Sequence, residues 1–122
     1  MSRKILLADD ETTFRETFTK VLREEGMTVT AVSNGIDAID AVTKEPFAVA
    51  ILDIRMPGAD GVKVLREIMR MRPLTRVIMI TAFGTVEMAV EAIKLGASDY
   101  VVKPVVMDDL IMKIRQNLRY IE

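Results

Sequence analysis

Short hydrophobic runs alternate with longer amphipathic segments along the chain, and this pattern predicts five strands, each followed by a helix. The strand-like runs lie at 5–8, 27–32, 48–52, 77–80 and 100–102. The segments between them repeat apolar residues every three or four positions, as the buried face of a helix does. Such alternation indicates one α/β domain over residues 1–122, in which helices cover both faces of a parallel sheet.

The third run is the most informative, because it is wholly apolar from 48 to 52 and ends at Asp53. The turn-forming sequence that follows is Arg55, Met56, Pro57 and Gly58. A run of this kind is typical of a strand buried on both faces, with Asp53 at its carboxyl end. Ligands bind at that edge in open parallel sheets. A lone aspartate is also a common turn residue, so Asp53 by itself decides nothing.

Signals for the starts of two helices and for one sheet edge accompany this pattern. Thr12 or Thr13 is expected to cap the first helix, with Glu16 completing a capping box after Thr13. Asp108 or Asp109 is expected to cap the last helix. The second strand largely alternates apolar and polar residues, which is typical of a strand at the edge of a sheet.

The fourth helix, expected over 85–95, has apolar residues around much of its circumference. We expect one set to face the core, namely Val86, Ala89, Val90 and Ile93. A second set lies off that face and is interpreted as a partner surface, namely Met88, Ala92 and Leu95. Scattered exposed apolar residues are normal in proteins, so the interpretation of this second set stays open.

Four of the five strand runs end in polar residues of particular types, which are Asp9 and Asp10, Asp53, Thr81 and Lys103. Because parallel strands end at the same edge of a sheet, we expect these side chains to gather there. Three neighbouring carboxylates repel one another, and a divalent cation such as Mg²⁺ relieves the repulsion. With the charge of Lys103 and the hydroxyl of Thr81, the cluster suits an oxygen-rich anion, such as a phosphoryl group on Asp53.

The same cluster predicts the order of the strands. The strand of Asp9 and Asp10 must neighbour that of Asp53 if the three residues share a metal. The strands of Thr81 and Lys103 then lie on the other side of Asp53, and the second strand takes the outer edge. The resulting order, 2-1-3-4-5, is that of a flavodoxin-like, doubly wound (βα)5 fold.

Composition narrows the possible chemistry. The chain has 17 basic and 18 acidic residues, a net charge of −1, and neither histidine nor cysteine. Metal ligands must therefore be oxygen atoms, which favours Mg²⁺ or Ca²⁺ over zinc, and no Ser-His or Cys-His nucleophile can form. The balanced charge gives no argument for direct contact with nucleic acid, and no apolar run approaches the length of a membrane helix. The lack of cysteine fits a reducing cytoplasm.

The polar motifs, taken in order, resemble those of the receiver domain of bacterial two-component response regulators. The motifs are the acidic pair Asp9-Asp10, D-x-x-M-P-G-x-D-G over 53–61, Thr81-Ala82 and Lys103-Pro104. The resemblance covers essentially the whole chain and implies a cytoplasmic switch that is phosphorylated by a sensor histidine kinase. It implies no enzymatic activity beyond the receiver's own phosphotransfer and slow autodephosphorylation.

The resemblance also implies a role for each site residue. Asp53 is the expected phosphoacceptor, and Thr81 and Lys103 are expected to contact the phosphoryl group. The expected ligands of Mg²⁺ (or Mn²⁺) are Asp10, Asp53, the backbone carbonyl of Arg55 and, through water, Asp9. Tyr100 is the expected switch aromatic, whose rotamer follows Thr81, and the peptide bond between Lys103 and Pro104 is expected to be cis.

The run 81–104 is most similar to the receivers of nitrogen-regulator-type transcription activators, which usually carry an ATPase and a DNA-binding domain downstream. Neither follows in this chain, so a stand-alone receiver and an excised domain are both open. Val105 departs from the family, which often has phenylalanine after Lys-Pro, but it lies outside the expected phosphoryl site.

The signalling surface is expected on the fourth helix, fifth strand and last helix, with Phe83-Gly84 as a hinge. Homodimerisation through this face is the simplest use of such a surface. The expected contacts are the apolar set Met88, Ala92, Leu95 and Met112, with cross-subunit ion pairs from Lys94, Asp99 and Arg115.

Two other functions compete with the switch. A phosphatase of the haloacid-dehalogenase type also uses aspartate, threonine, lysine and Mg²⁺. That family needs a second acid two residues after the nucleophile, where this chain has Arg55, and usually a cap domain for which the chain has no room. A degenerate receiver that only binds partners is the other alternative, against which the intact set of five polar residues argues.

Overall fold

The computed structural model describes residues 3–82 and 86–121, and it contains ten elements in strict alternation. The strands are β1 (Lys4–Ala8), β2 (Thr28–Val32), β3 (Val49–Asp53), β4 (Arg76–Thr81) and β5 (Asp99–Val102). The helices are α1 (Thr12–Glu24), α2 (Gly35–Lys44), α3 (Gly61–Met71), α4 (Val86–Lys94) and α5 (Met107–Ile121). The expected start of α4 at Thr85 and the expected hinge at Phe83-Gly84 lie outside the described residues.

The five strands form one parallel sheet in the order β2-β1-β3-β4-β5, which confirms the predicted flavodoxin-like fold. β3 lies at the centre and is buried at all five positions, as its unbroken apolar run predicts. β2 lies at an edge, which confirms the interpretation of its mixed pattern; of its five residues only Val29 is buried, while Thr28 and Ala31 are exposed.

Each face of the sheet carries its own hydrophobic core. One core packs α2, α3 and α4 against the sheet, with Leu65 and Ile68 among its fully buried residues. The other packs α1 and α5 against the opposite face, with Leu22 and Ile114 at its centre. Side chains alternate along each strand between the two cores, so the sheet is buried on both sides. Within the described residues, no helix is long and apolar enough to span a membrane.

The expected buried face of α4 is confirmed at Ala89 but wrong at Val86, Val90 and Ile93. Ala89 and Ala92 are fully buried, whereas Val86, Val90 and Ile93 are 43%, 46% and 41% exposed. Two more residues of the expected partner surface, Met88 and Leu95, are partly buried against the core. Apolar residues surround this helix, so periodicity alone could not choose its buried face. The alanines face the sheet, where small side chains allow the helix to lie close, and the β-branched residues point outward.

Two helix starts also differ from expectation. Glu11 precedes α1 as its N-cap without a side-chain cap, so neither Thr12 nor Thr13 caps the helix. α5 begins at Met107, which places Asp108 and Asp109 in its first turn and not before it. In both helices the start lies one or more residues earlier than a search for capping side chains suggested. Carboxylates in the first turn of α5 still interact favourably with the helix dipole.

Candidate functional site

The carboxyl ends of four strands bring the predicted polar residues to one edge of the sheet. Asp9 follows β1, Asp53 ends β3, Thr81 ends β4 and Lys103 follows β5. Carboxylate oxygens of Asp9, Asp10 and Asp53 all lie within 4.8 Å of one another. The ammonium of Lys103 lies 2.9 Å from Asp53 Oδ2 and 3.3 Å from Asp9 Oδ2.

Two hydrogen bonds hold the carboxylate of Asp53 in place. Its side chain is buried, with the residue 6% exposed. Oδ1 accepts the backbone N–H of Arg55 at 3.1 Å, and Oδ2 accepts a hydrogen bond from Lys103 Nζ at 2.9 Å. A carboxylate fixed in this way presents its remaining lone pairs in a constant direction, which is what a nucleophile at the strand end requires.

Asp9 is the most deeply buried acid of the cluster, with no exposed surface. Its Oδ1 accepts the backbone N–H of Glu11 at 2.8 Å, and the Arg15 guanidinium donates to its backbone carbonyl at 2.8 Å. Asp9 Oδ2 is buried and accepts no hydrogen bond from any residue that the structure describes. Its contact with Lys103 at 3.3 Å is therefore an ion pair without hydrogen-bond geometry.

The electrostatics of the cluster follow from this burial. Loss of hydration raises the pKa of Asp9 above its ordinary value, and the charge of Asp53 adds to the rise. The N–H of Glu11 and the charge of Lys103 oppose it. Loss of hydration alone would lower the pKa of Lys103, but the hydrogen bond and charge of Asp53, with the charge of Asp9, outweigh it and raise the pKa. Lys103 therefore stays a cation between two acids.

The donor set fits a divalent cation such as Mg²⁺. All three groups offer hard oxygen atoms, and one of these atoms, Asp9 Oδ2, is buried without a hydrogen-bond donor among the described residues. Asp10 is exposed, so the cluster is open to solvent on that side. Mg²⁺ binds through one or two carboxylates while keeping several waters, which suits a cluster that is half buried and half open.

The remaining predicted residues lie around this cluster. Thr81 is fully buried, its hydroxyl donates to the Ala82 carbonyl at 3.2 Å, and its own carbonyl accepts the N–H of Lys103 at 2.7 Å. Arg55 is exposed beside Asp53. Tyr100 is half-buried and packs against the core that contains α4. The peptide bond between Lys103 and Pro104 is cis, as expected.

Sequence reasoning missed three residues of α1 and its cap that shape the site. Glu11 and Arg15 hold Asp9, as described above, and the Phe14 ring lies beneath the Lys103 ammonium at 5.5 Å from ring centroid to Nζ. Phe14 is half-buried and packs against the core formed with α1 and α5. Its position, five residues after Asp9 in the helix that starts beside the acids, is the signal that places it near the site.

Replacing Asp9 with asparagine is expected to stabilise the fold in the absence of Mg²⁺, by about 1 kcal/mol near neutral pH. Asparagine keeps an oxygen for the Glu11 N–H and removes a buried charge. Because the pKa of Asp9 is raised in the folded state, the stability that its protonated form contributes is present at low pH and is lost as the pH rises through that pKa. The variant should lack this pH dependence.

Urea unfolding followed by far-ultraviolet circular dichroism, with a metal chelator and at several pH values, measures this effect. Asp40→Asn is the matched control, because Asp40 is an exposed acid that forms an ion pair with Lys44 on the same helix. The account of the cluster is wrong if Asp9→Asn is less stable than the parent protein without metal.

Comparison with known proteins agrees with the site. The profile of the response regulator receiver domain family matches residues 5–115. Sporulation initiation phosphotransferase F of Bacillus subtilis is 34% identical over 118 residues, which cover 97% of this chain and 95% of that protein. The transcriptional regulatory protein ZraR of Klebsiella oxytoca is 35% identical over 116 residues.

A solved structure supports the same assignment. The receiver domain of NtrX from Brucella abortus is 33% identical and superposes with a TM-score of 0.88, covering 94% of this chain and 98% of that one. The chain spans only 26% of ZraR and 24% of an NtrX-like regulator of Rickettsia bellii, so those relatives are much longer proteins. A family profile over nearly the whole chain, with matching fold and acidic cluster, leads to one conclusion: the chain belongs to the response regulator receiver domain family.

Proposed function

We propose that this receiver is a phosphorylation-activated switch that accepts a phosphoryl group on Asp53 in a Mg²⁺-dependent reaction. The observation that carries the proposal is the placement of the Asp53 carboxylate between the Lys103 ammonium, at 2.9 Å, and the acidic cluster with Asp9 and Asp10. One carboxylate faces a fixed positive charge on one side and a metal-binding group on the other. That environment suits a phosphoryl group better than it suits an unmodified aspartate.

The transfer is a displacement at phosphorus. A carboxylate oxygen of Asp53 forms the new O–P bond while the P–N bond of a phosphohistidine, or the P–O bond of acetyl phosphate, breaks and its electrons leave with the donor. Lys103 would neutralise the charge that develops on the phosphoryl oxygens, and the Thr81 hydroxyl would donate a hydrogen bond to one of them. Asp10, Asp53 and the Arg55 carbonyl would hold Mg²⁺, with Asp9 acting through water, and the metal supplies the charge that lets an anionic donor approach.

Incubation with acetyl phosphate and Mg²⁺, followed by intact mass, tests this proposal against its alternatives. A single added phosphoryl group supports the switch. Sustained hydrolysis of small phosphomonoesters would instead support a phosphatase, which the exposed Arg55 in place of a second acid disfavours. Absence of both reactions would support a receiver that only binds partners.

The expected partner upstream is a sensor histidine kinase in the cytoplasm, because the chain belongs to the receiver domain family of response regulators. Downstream, the receiver would act on an output domain or a separate partner, since relatives such as ZraR are about four times as long. Residues 1–122 would work as one receiver unit. Beyond its own phosphotransfer and slow autodephosphorylation, the chain would catalyse no reaction and would bind neither nucleic acid nor membrane directly.

The relay would run from Thr81 toward Tyr100 and α4. The hydroxyl of Thr81 would follow the phosphoryl group inward, and the Tyr100 ring would reorient into the space that Thr81 leaves. Phosphorylation would thereby shift a conformational population that the free protein already samples. Both changes reach one surface, here called the α4–β5–α5 face, whose exposed apolar residues are Val86, Val90, Ile93, Val102, Val106 and Met112.

Two of the three charged residues expected to form cross-subunit pairs on this face are already engaged within the chain. Asp99 pairs with Lys113 at 2.9 Å, and Arg115 pairs with Glu25. The corrected face therefore offers an apolar stripe along α4, centred on Val90, as the main attraction for a partner or a second copy. A single self-complementary patch suffices for a two-fold dimer.

Beryllofluoride, a phosphoryl analogue, is expected to promote dimerisation through this face, and Val90→Glu should weaken the dimer about tenfold or more because it buries a charge there. Sedimentation with and without the analogue measures the change. Ile36→Glu is the matched control, since Ile36 is 62% exposed on a different surface. If beryllofluoride binds but neither the sedimenting mass nor the NMR signals of this face change, the signalling surface lies elsewhere, with α1 beside Asp10 as the next surface to test.

A further inference from the structure

We propose that Phe14 is a positioning residue for Lys103, and that its ring fixes the ammonium in the direction of Asp53 during phosphoryl transfer. The inference rests on the proposed function of Asp53 and adds to it a residue outside the polar set. It starts from the contact between the Phe14 ring and Lys103 Nζ, 5.5 Å from the ring centroid.

The ammonium of Lys103 is surrounded on two sides. Asp53 Oδ2 at 2.9 Å and Asp9 Oδ2 at 3.3 Å attract it from one direction, and the Phe14 ring lies within cation–π distance on another. The lysine side chain is 26% exposed, so most of its surface is already taken by these neighbours. A long, flexible side chain otherwise loses much of its effect to alternative rotamers that point into water.

The Phe14 ring is itself supported from behind. Its centroid lies 4.4 Å from that of Phe18, with the planes tilted by 38°, and Phe18 is 4% exposed in the core under α1. The helix that carries both rings begins beside Asp9, which Arg15 and Glu11 bind through hydrogen bonds. α1 therefore fixes Asp9 and the Lys103 ammonium relative to each other.

The contact between Phe14 and Lys103 should affect the stabilisation of the transition state more than the binding of Mg²⁺. A cation that is already oriented needs no reorganisation as charge develops on the transferring phosphoryl oxygens. Metal binding depends on the carboxylates, which Phe14 does not contact in any described interaction. Loss of the ring should therefore slow phosphorylation and leave Mg²⁺ affinity largely unchanged.

The test compares phosphorylation rates of variants with acetyl phosphate at saturating Mg²⁺, a donor that avoids any contact between a kinase and α1. Phe14→Leu should be slower than the parent by about three- to tenfold, whereas Phe14→Tyr, which keeps a ring, should stay close to it. Phe47→Leu is the matched control. Phe47 contacts another lysine, Lys4, whose Nζ lies 5.8 Å from the ring centroid, and Phe47 is not among the residues of the acidic cluster.

A second comparison decides whether Phe14 acts through Lys103. In a Lys103→Ala background, followed over a longer time course, Phe14→Leu should cause no further slowing. An equal slowing in both backgrounds would overturn the proposal, because the ring would then act through the fold. A Phe14→Leu rate equal to that of the parent would also overturn it while leaving phosphorylation of Asp53 established. A parent protein that is not labelled on Asp53 overturns both this inference and the proposed function.

Discussion

Replacing Asp53 with asparagine is expected to abolish phosphorylation by acetyl phosphate and Mg²⁺. The amide oxygen can still accept the N–H of Arg55, so the strand end and its turn should keep their geometry. The nucleophilic carboxylate oxygen is lost, however, and Lys103 keeps only Asp9 as an acidic partner in the cluster. Because an amide is a far weaker nucleophile than a carboxylate, the expected loss is complete on the time scale of the parent reaction.

Asp60→Asn is the matched control for that substitution. Asp60 lies in the same connection between β3 and α3, but its carboxylate caps α3 by accepting the N–H of Lys63 at 2.9 Å. Asparagine caps helices about as well as aspartate, so this variant should be labelled at the parent rate. The intact mass of each variant after incubation shows whether a phosphoryl group has been added. Labelling of Asp53→Asn at the parent rate would contradict the assignment of the phosphoacceptor.

Gly61→Ala is expected to destabilise the protein by about 3 kcal/mol or more. A Cβ at this position would lie 2.3 Å from the carbonyl oxygen of Asp53 and 2.9 Å from Cα of Ile54. Both contacts are with the backbone at the end of β3, which carries Asp53, and the N–H of Gly61 also donates to the Ile54 carbonyl at 2.8 Å. No side-chain rotation can relieve the clash, so α3 or the end of β3 must move.

Gly26→Ala separates this clash from the ordinary cost of losing a glycine. Gly26 has a φ of +86°, but a Cβ there would meet nothing within 4 Å. Gly26→Ala should therefore lower the free energy of unfolding by about 1 kcal/mol, which is the cost of placing alanine in the left-handed region. Chemical unfolding followed by circular dichroism compares the two variants. If both variants lower the free energy of unfolding equally, the backbone around Gly61 relaxes enough to accommodate the added Cβ, and the expected clash is wrong.

The strand order and the gathering of polar residues could be predicted from the sequence because two signals agreed. Apolar runs marked the strands, and the polar residues at the carboxyl ends of four of them, such as Asp53 and Lys103, constrained which strands are neighbours. A parallel sheet allows few arrangements that bring those ends together, so the order followed from chemistry as much as from pattern. The described structure has that order.

The face of α4 could not be predicted in the same way. Its sequence offers apolar residues in most directions, and the choice depends on how closely the helix approaches the sheet, which is a tertiary property. Ala89 and Ala92 are buried because they are small, whereas hydrophobicity alone favoured Val90 and Ile93. The predicted N-caps of α1 and α5 are wrong for a related reason, since helix starts are set by the local chain path and vary by one or two residues.

The contact between Phe14 and Lys103 also could not be predicted from the sequence. The two residues are far apart along the chain and belong to different classes, so neither periodicity nor motif spacing joins them. The ring comes beneath the ammonium because α1 begins beside Asp9 and the Lys103 side chain reaches the same acid in the folded protein. The difference in burial between two adjacent acids could not be predicted from the sequence either. Asp9 is completely buried, whereas Asp10 is exposed.

Mapping the phosphoryl group tests the central claim most directly. The protein is incubated with acetyl phosphate, with Mg²⁺ or with a chelator, then treated with borohydride, which reduces an aspartyl phosphate to homoserine, and digested for peptide mass spectrometry. We predict homoserine at residue 53 only, and only when Mg²⁺ is present. A modification at another residue, or equal labelling of residue 53 in the presence of the chelator, would contradict the account.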